Sequence, residues 1–177
     1  ALLEKGATIR SGSAGSGIDN HGVITPLSKL SPEELTARSV ARSNGYTNAI
    51  MSYIAAREGY DALLELEKMG GKVRDSQGIF KGAPFRDEET GFVFCGDVEA
   101  KTTLQVWGAT FKPALYKECK RLGVAIYDRT QATSLLTERG KQGTRVVGAT
   151  GLNIRTGEFT VFKAKATILC LSCPQRI

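Results

Sequence analysis

Apolar and polar residues alternate along this chain with two different periods. Up to about residue 122 the apolar positions fall at helical spacing or without order. Beyond it they repeat every second residue, as in half-buried strands. Ser31-Pro32-Glu33-Glu34 predicts a helix start, because Ser31 can cap, Pro32 suits the first turn and Glu34 completes a capping box. That helix is expected to run to about Ser43. A longer one follows from about Thr47 to Lys68, with Ile50, Ile54, Leu63, Leu64 and Leu66 as its apolar contacts and Gly70-Gly71 as its stop. Residues 72 to 106 read as irregular, with a short strand at Phe92 to Cys95. A third helix spans about Lys112 to Leu122 and ends at Gly123. Strands are then predicted at Val124–Tyr127, Ala132–Glu138, Arg145–Asn153, Glu158–Lys163 and Thr167–Leu171. Hairpin turns fall at Gly140-Lys141-Gln142-Gly143 and Arg155-Thr156-Gly157. This order suits an α/β domain with an appended antiparallel three-stranded meander.

Residues 6 to 24 stand apart from both patterns. They are dense in Gly and Ser, which suits either a flexible linker or backbone that must approach a ligand closely. Ile18, Val23 and Ile24 within it argue against a pure linker. The chain opens on Ala1-Leu2-Leu3-Glu4 and closes just after the apolar run Ala166–Cys170, so both ends read as interior points of a longer protein.

Composition narrows the picture. In 177 residues, 41% hydrophobic and 24% charged, there is enough apolar material for a core. No apolar run is long enough to span a membrane, and no signal peptide is visible. The net charge of +6 permits attraction to anions. Its densest groupings, Lys117/Lys120/Arg121 and Arg139/Lys141/Arg145, read as a solvated helix face and a hairpin tip. No nucleic-acid-binding pattern accompanies them, so no nucleic-acid partner is expected. The four cysteines, Cys95, Cys119, Cys170 and Cys173, are expected to be reduced thiols in a cytoplasmic protein. With one Cys-x-x-Cys and one histidine, a four-ligand zinc site is poorly supplied and no metal is expected.

Leu3-Glu4 ends the opening strand. In dinucleotide-binding folds an acid there bonds a ribose hydroxyl, roughly 20 residues after a G-x-G-x-x-G turn. After it comes Lys5-Gly6-Ala7-Thr8-Ile9-Arg10-Ser11-Gly12-Ser13-Ala14-Gly15-Ser16-Gly17-Ile18. This segment resembles the flavin-contacting loop of the fumarate reductase/succinate dehydrogenase flavoprotein family. Within that family the motifs are most like those of the adenylylsulfate (APS) reductase α subunit. The likeness continues at Gly108-Ala109-Thr110-Phe111-Lys112-Pro113, at Gly151–Arg155 and at Phe159–Leu169.

The resemblance implies a partial FAD/NAD(P)-binding (Rossmann-like) domain, with residues 1–177 as an internal segment of it. The first βα unit and the capping domain would lie outside the chain. It also implies FAD as cofactor. Glu4 would take the adenosine ribose. Lys5 and the run Arg10, Ser11, Gly12, Ser13, Ala14, Gly15, Ser16 and Gly17 would pass beside the pyrophosphate and isoalloxazine. Gln131 and Ala132 would meet the adenine through backbone atoms. Relatives with covalent flavin carry a histidine where this chain has Gly12, which implies dissociable FAD.

His21, the single histidine, and Asn20 lie where the family places substrate-facing groups, the former as a proton carrier and the latter orienting a small anionic substrate. Trp107 reads either as a cofactor contact or as a core residue. The family also implies an iron–sulfur partner for electron transfer, and exposed strand edges suggest a homo-oligomer. The chain departs from the family at Cys170-Leu171-Ser172-Cys173, where relatives end a strand in A-T-G-G against FAD. With those glycines and the phosphate-binding turn missing, the chain alone is expected to hold little or no FAD. The rival expectation is a catalytically inert folded fragment or interaction module.

Overall fold

The computed structural model describes residues 1–12 and 20–171. In chain order the elements are β1 (Leu2–Glu4), β2 (Asn20–Gly22), α1 (Pro32–Arg42), α2 (Ala49–Lys68), β3 (Thr103–Gln105), α3 (Phe111–Arg121), β4 (Ile126–Asp128), β5 (Thr130–Thr137), β6 (Val146–Asn153) and β7 (Phe159–Lys163). Short 3-10 turns precede α3, at Gly108–Thr110, and follow β5, at Glu138–Gly140. The elements sort into two compact units. One joins Ala1–Thr8 to Gly123–Ile177, and the other is Ile9–Leu122.

In the first unit β1 and β4 pair in parallel, with Leu2 against Ile126, Leu3 against Tyr127 and Glu4 against Asp128. Parallel neighbours far apart in sequence are the mark of a doubly wound α/β sheet. β5, β6 and β7 form the expected antiparallel sheet in that order. The β6–β7 turn is locked by Asn153, whose Oδ1 accepts the N–H groups of Arg155 (3.0 Å) and Thr156 (3.1 Å). Gly157 completes the turn at φ +74°, a left-handed value that suits glycine. Tyr127 meets Phe162 edge to face at 4.8 Å, so β4 packs on one face of the meander. At Gly151 on that face an added Cβ would lie 3.2 Å from Leu3 Cδ2.

The second unit is helical. Ser31 and Glu34 form the capping box of α1: the Glu34 N–H donates to Ser31 Oγ, and the Ser31 N–H donates to Glu34 Oε2. Asn48 caps α2 by accepting the Met51 N–H. Val23, Leu63, Val73, Phe92, Phe94, Leu104 and Val106 make the core, with Leu27, Tyr60, Leu66 and Phe111 against it.

Four expectations are corrected. Of the apolar contacts assigned to α2, Leu63 is buried and Leu66 packs on the core, while Ile50 is 72% exposed; the first turns of α2, at Ala49, Ile50 and Tyr53, face α1 across an open groove. Phe92–Cys95 is not a ladder strand. Its backbone makes single bridges, Val93 to Arg86 and Phe94 to Leu104. Thr167–Leu171 forms no strand, because no described strand takes up its backbone groups, and Ile168 is 87% exposed. Asn20–Gly22, read as loop, is strand β2, since β3 offers it a full register from Thr103 to Gln105.

The irregular stretch after α2 is organised by one acid. Asp75 is buried, and its carboxylate accepts the N–H groups of Ile79 and Phe80 (both 2.9 Å) and Arg86 Nε (3.1 Å). Burial by itself raises this carboxyl. The N–H groups of Phe80 and Ile79 and the Arg86 guanidinium outweigh that and hold it below the usual carboxylate range. A carboxylate whose pKa is depressed on folding adds stability above its unfolded pKa, and that stability drains away as pH falls through the folded value. Asp75→Asn is therefore expected to lower the thermal midpoint by roughly 5 °C at neutral pH. The gap to the parent should narrow in acid. A gap that does not change with pH, followed by circular dichroism melts, would show that the charge of Asp75 does not matter.

Candidate functional site

The carboxyl ends of parallel strands in an open α/β sheet are where ligands bind. Here those ends present two acids side by side, Glu4 and Asp128. They are differently employed. Asp128 Oδ1 accepts both the N–H (2.7 Å) and the hydroxyl (2.6 Å) of Thr8, tying the segment after β1 to the end of β4. Glu4 uses Oε1 for the N–H of Gly6 (2.7 Å), and its Oε2 takes no hydrogen bond from a described residue. A half-buried carboxylate with one oxygen pinned by its own loop and the other open suits a diol such as ribose. Lys5 is exposed beside it. The corner between β4 and β5 is equally set: Arg129, at φ +58°, donates its N–H to Gly6 O and accepts the N–H of Ile154. Gln131 and Ala132 follow on β5, exposed and in register with Leu152 and Gly151 of β6.

In the helical unit the first part of the Gly/Ser loop is clamped from the G-x-x-x-K-P stretch. Arg10 Nη1 donates to Ala109 O (3.0 Å), and Lys112 Nζ donates to Ser11 O. Gly12 follows at φ +80°, with open space where a Cβ would stand. A backbone held by two cations, left-handed and free of side-chain bulk, is suited to close approach by a flavin or a pyrophosphate. Lys112 was not singled out in the sequence as a site residue. The signal was its place in the Lys-Pro motif, the second residue of α3, from which a long side chain can reach back. Ser13, Ala14, Gly15, Ser16 and Gly17, with Ser172 and Cys173, lie outside the described residues.

Asn20 and His21 stand on β2, opposite Gln105 and Leu104 of β3, and both are exposed on one side. The other side of His21 abuts α2, where a Cβ added at Gly59 would lie 3.6 Å from His21 Nε2 and 3.3 Å from Val23 Cγ2. This partial burial pushes the imidazole pKa down, so the ring is neutral at pH 7 and able to accept a proton. Trp107 is half-buried, with Lys72 Nζ 4.4 Å from its ring centroid. No cluster of His, Cys, Asp or Glu among the described residues could hold a metal. Among them, too, no helix is long and apolar enough to cross a membrane.

A parallel β-pair with acids at its carboxyl ends, a glycine-bearing loop and an antiparallel meander define a nucleotide-binding α/β domain of the flavoprotein kind. The sequence profile of the FAD binding domain matches residues 1–172, and the chain belongs to that family. FAD is the cofactor this membership supports. Solved structures share the fold. An adenosine-5-phosphosulfate reductase in complex with sulfite superposes with TM-score 0.70 at 24% identity, over 94% of this chain and 24% of that one. A flavocytochrome c3 fumarate reductase gives 0.67 at 14%, over 93% and 28%. The Mycobacterium smegmatis Sdh1 complex gives 0.68 at 19%, again over 93% and 28%. The chain thus spans about a quarter of the length of these structures. No curated protein matches the sequence.

Proposed function

We propose that this chain is the part of an FAD-dependent oxidoreductase flavoprotein subunit that grips the adenosine ribose and the flavin side of the cofactor without a covalent bond. The observation that carries the reading is the Oε2 of Glu4, which no described residue engages, at the carboxyl end of a parallel pair in a chain of the FAD binding domain family. FAD when bound supplies two-electron chemistry toward a small anionic substrate of the fumarate, succinate or adenylylsulfate type. Glu4 accepts from ribose hydroxyls, with Gly6 holding the carboxylate in place. Lys5 and Arg10 to Gly17 offer backbone N–H groups and positive charge to the pyrophosphate and ring, while Arg10 and Lys112 fix the loop that carries them. Gln131 and Ala132 face adenine. Asn20 orients the substrate anion, and the neutral His21 takes or returns a proton. An iron–sulfur protein serves as electron partner.

The ribose assignment is tested in the full-length polypeptide by quenching of flavin fluorescence. Removing an acceptor that makes charge-assisted bonds worth about 1.5–3 kcal/mol should raise the FAD Kd roughly tenfold to a hundredfold in Glu4→Ala. Glu4→Gln, which keeps one acceptor oxygen, should fall between. An unchanged Kd in both variants would take Glu4 out of the cofactor site.

A further inference from the structure

β7 closes the meander on one side, and among the described residues it has no second neighbour. The pairing with β6 fixes which of its backbone groups are spent. At one end the Asn153 N–H donates to Glu158 O, and at the other the Ala164 N–H donates to Val147 O. Hydrogen-bonded and non-bonded pairs alternate along an antiparallel ladder. Thr160 and Phe162 therefore turn their N–H and C=O toward β6, while Phe159, Val161 and Lys163 turn theirs outward. The same three residues put exposed side chains on the face away from Tyr127, with Phe159 61% and Val161 53% accessible. At the Lys163 end lies a concavity of about 440 Å³, floored by Leu136, Val147 and Val161 and rimmed by Arg145, Lys163 and Lys165. None of these three cations has an ion-pair partner among the described residues.

We infer that β7 is the docking edge for an extended, acidic segment of a partner protein, added as a fourth strand with its apolar side chains on Phe159 and Val161 and its carboxylates among Arg145, Lys163 and Lys165. Outward backbone groups supply the affinity of strand addition, and the pocket beside them supplies selectivity. The charge decides the occupant. Three cations with no ion-pair partner among the described residues, on a chain of net charge +6, attract an acidic strand and repel a second copy carrying the same cations.

The probe is a synthetic peptide with threonine at every second position and valines followed by glutamates on the other face (Val-Thr-Val-Thr-Glu-Thr-Glu), so that valines and carboxylates share the face of Phe159, Val161 and Lys163. It is titrated into the chain at low salt and followed by calorimetry. Saturable one-to-one binding is expected, with affinity falling as salt rises. Paired Lys163→Glu and Lys165→Glu should weaken it at least tenfold. Val161→Pro removes an outward N–H without touching the ladder to β6 and should abolish binding, whereas Val161→Thr keeps that N–H and should bind. Equal affinity for a valine–lysine peptide overturns the inference. So does undiminished binding by the charge-reversed chain, which decides the matter even if the proline variant unfolds. A dimer in sedimentation equilibrium that Val161→Pro dissolves would show instead that the edge serves a second copy, and would equally overturn it.

Discussion

In the full-length enzyme, His21→Ala should lower kcat by about 10² to 10⁴ and leave FAD bound, the range typical of a lost acid–base group. The proposed role rests on where the ring stands. β2 presents it exposed on one side, and Gly59 lets the other side settle on α2 with its pKa depressed by burial. A neutral ring at pH 7 can accept a proton; below its lowered pKa the ring is already protonated. The activity of the parent enzyme should therefore fall on an acidic limb that the variant lacks. Asn20→Ala should raise KM for the anionic substrate more than it lowers kcat, because an orienting amide binds ground and transition states alike. Steady-state kinetics against pH, with bound flavin quantified by absorbance, separate these outcomes. Full turnover in His21→Ala with a normal pH profile would leave β2 only a structural role.

The second large effect is structural. A Cβ placed on Gly148 would stand 2.0 Å from Phe162 O and 3.0 Å from Phe162 C. Those atoms belong to the β6–β7 ladder, where Gly148 faces Lys163 and Ala149 faces Phe162. Backbone cannot step aside as a flexible side chain can. Gly148→Ala must push β7 off β6 or twist β6 further at the irregularity between Leu136 and Thr137. Either route costs about 3 kcal/mol or more, beyond ordinary overpacking. Urea unfolding should show the loss, and binding of the valine–glutamate peptide should go with it. A stability change within the scatter of surface substitutions would mean that the strands accommodate the methyl group. Gly157→Ala is milder: its Cβ meets nothing within 4 Å, so only the strain of φ +74° opposes it.

The meander was legible in the sequence because alternation and turn chemistry agree there. Asn153 and Gly157 mark the turn, and the apolar positions of β6 and β7 keep one period across it. The ends of α1 were legible for the same reason, in Ser31, Pro32 and Glu34. The misreadings have a common physical cause, which is that partners far along the chain leave no local mark. Asn20–Gly22 becomes a strand only because Thr103–Gln105 lies beside it. Thr167–Leu171 has the composition of a strand but no described strand to pair with. Ile50 and Ile54 carry helical periodicity, yet the face they define looks onto α1 and solvent. Asp75 was invisible for a related reason. A lone acid in a polar stretch says nothing of the N–H groups that will converge on it. In the site, Glu4 was readable from its place at a strand end, while the anchors Thr8, Asp128 and Lys112 emerged only when the chain was folded.

The tie between Thr8 and Asp128 joins residues 120 positions apart, and the β1–β4 ladder does the same. Everything from Ile9 to Leu122 is threaded between two strands that must end up adjacent. A parallel crossover usually spans some 30 residues. Closing a fourfold longer loop costs only about 1.2 kcal/mol of extra chain entropy, so the finished protein barely registers the detour. The timing of folding does. As the polypeptide leaves the ribosome, β1 emerges before β4 and waits for that neighbour while the whole helical unit is made. That unit has its own core and can fold during the delay. The strand bearing Glu4 is thus made well before the neighbour it pairs with, and contact order makes that pairing a slow step. A chaperone that shields short apolar strands would find its target in Leu2 and Leu3 during that interval.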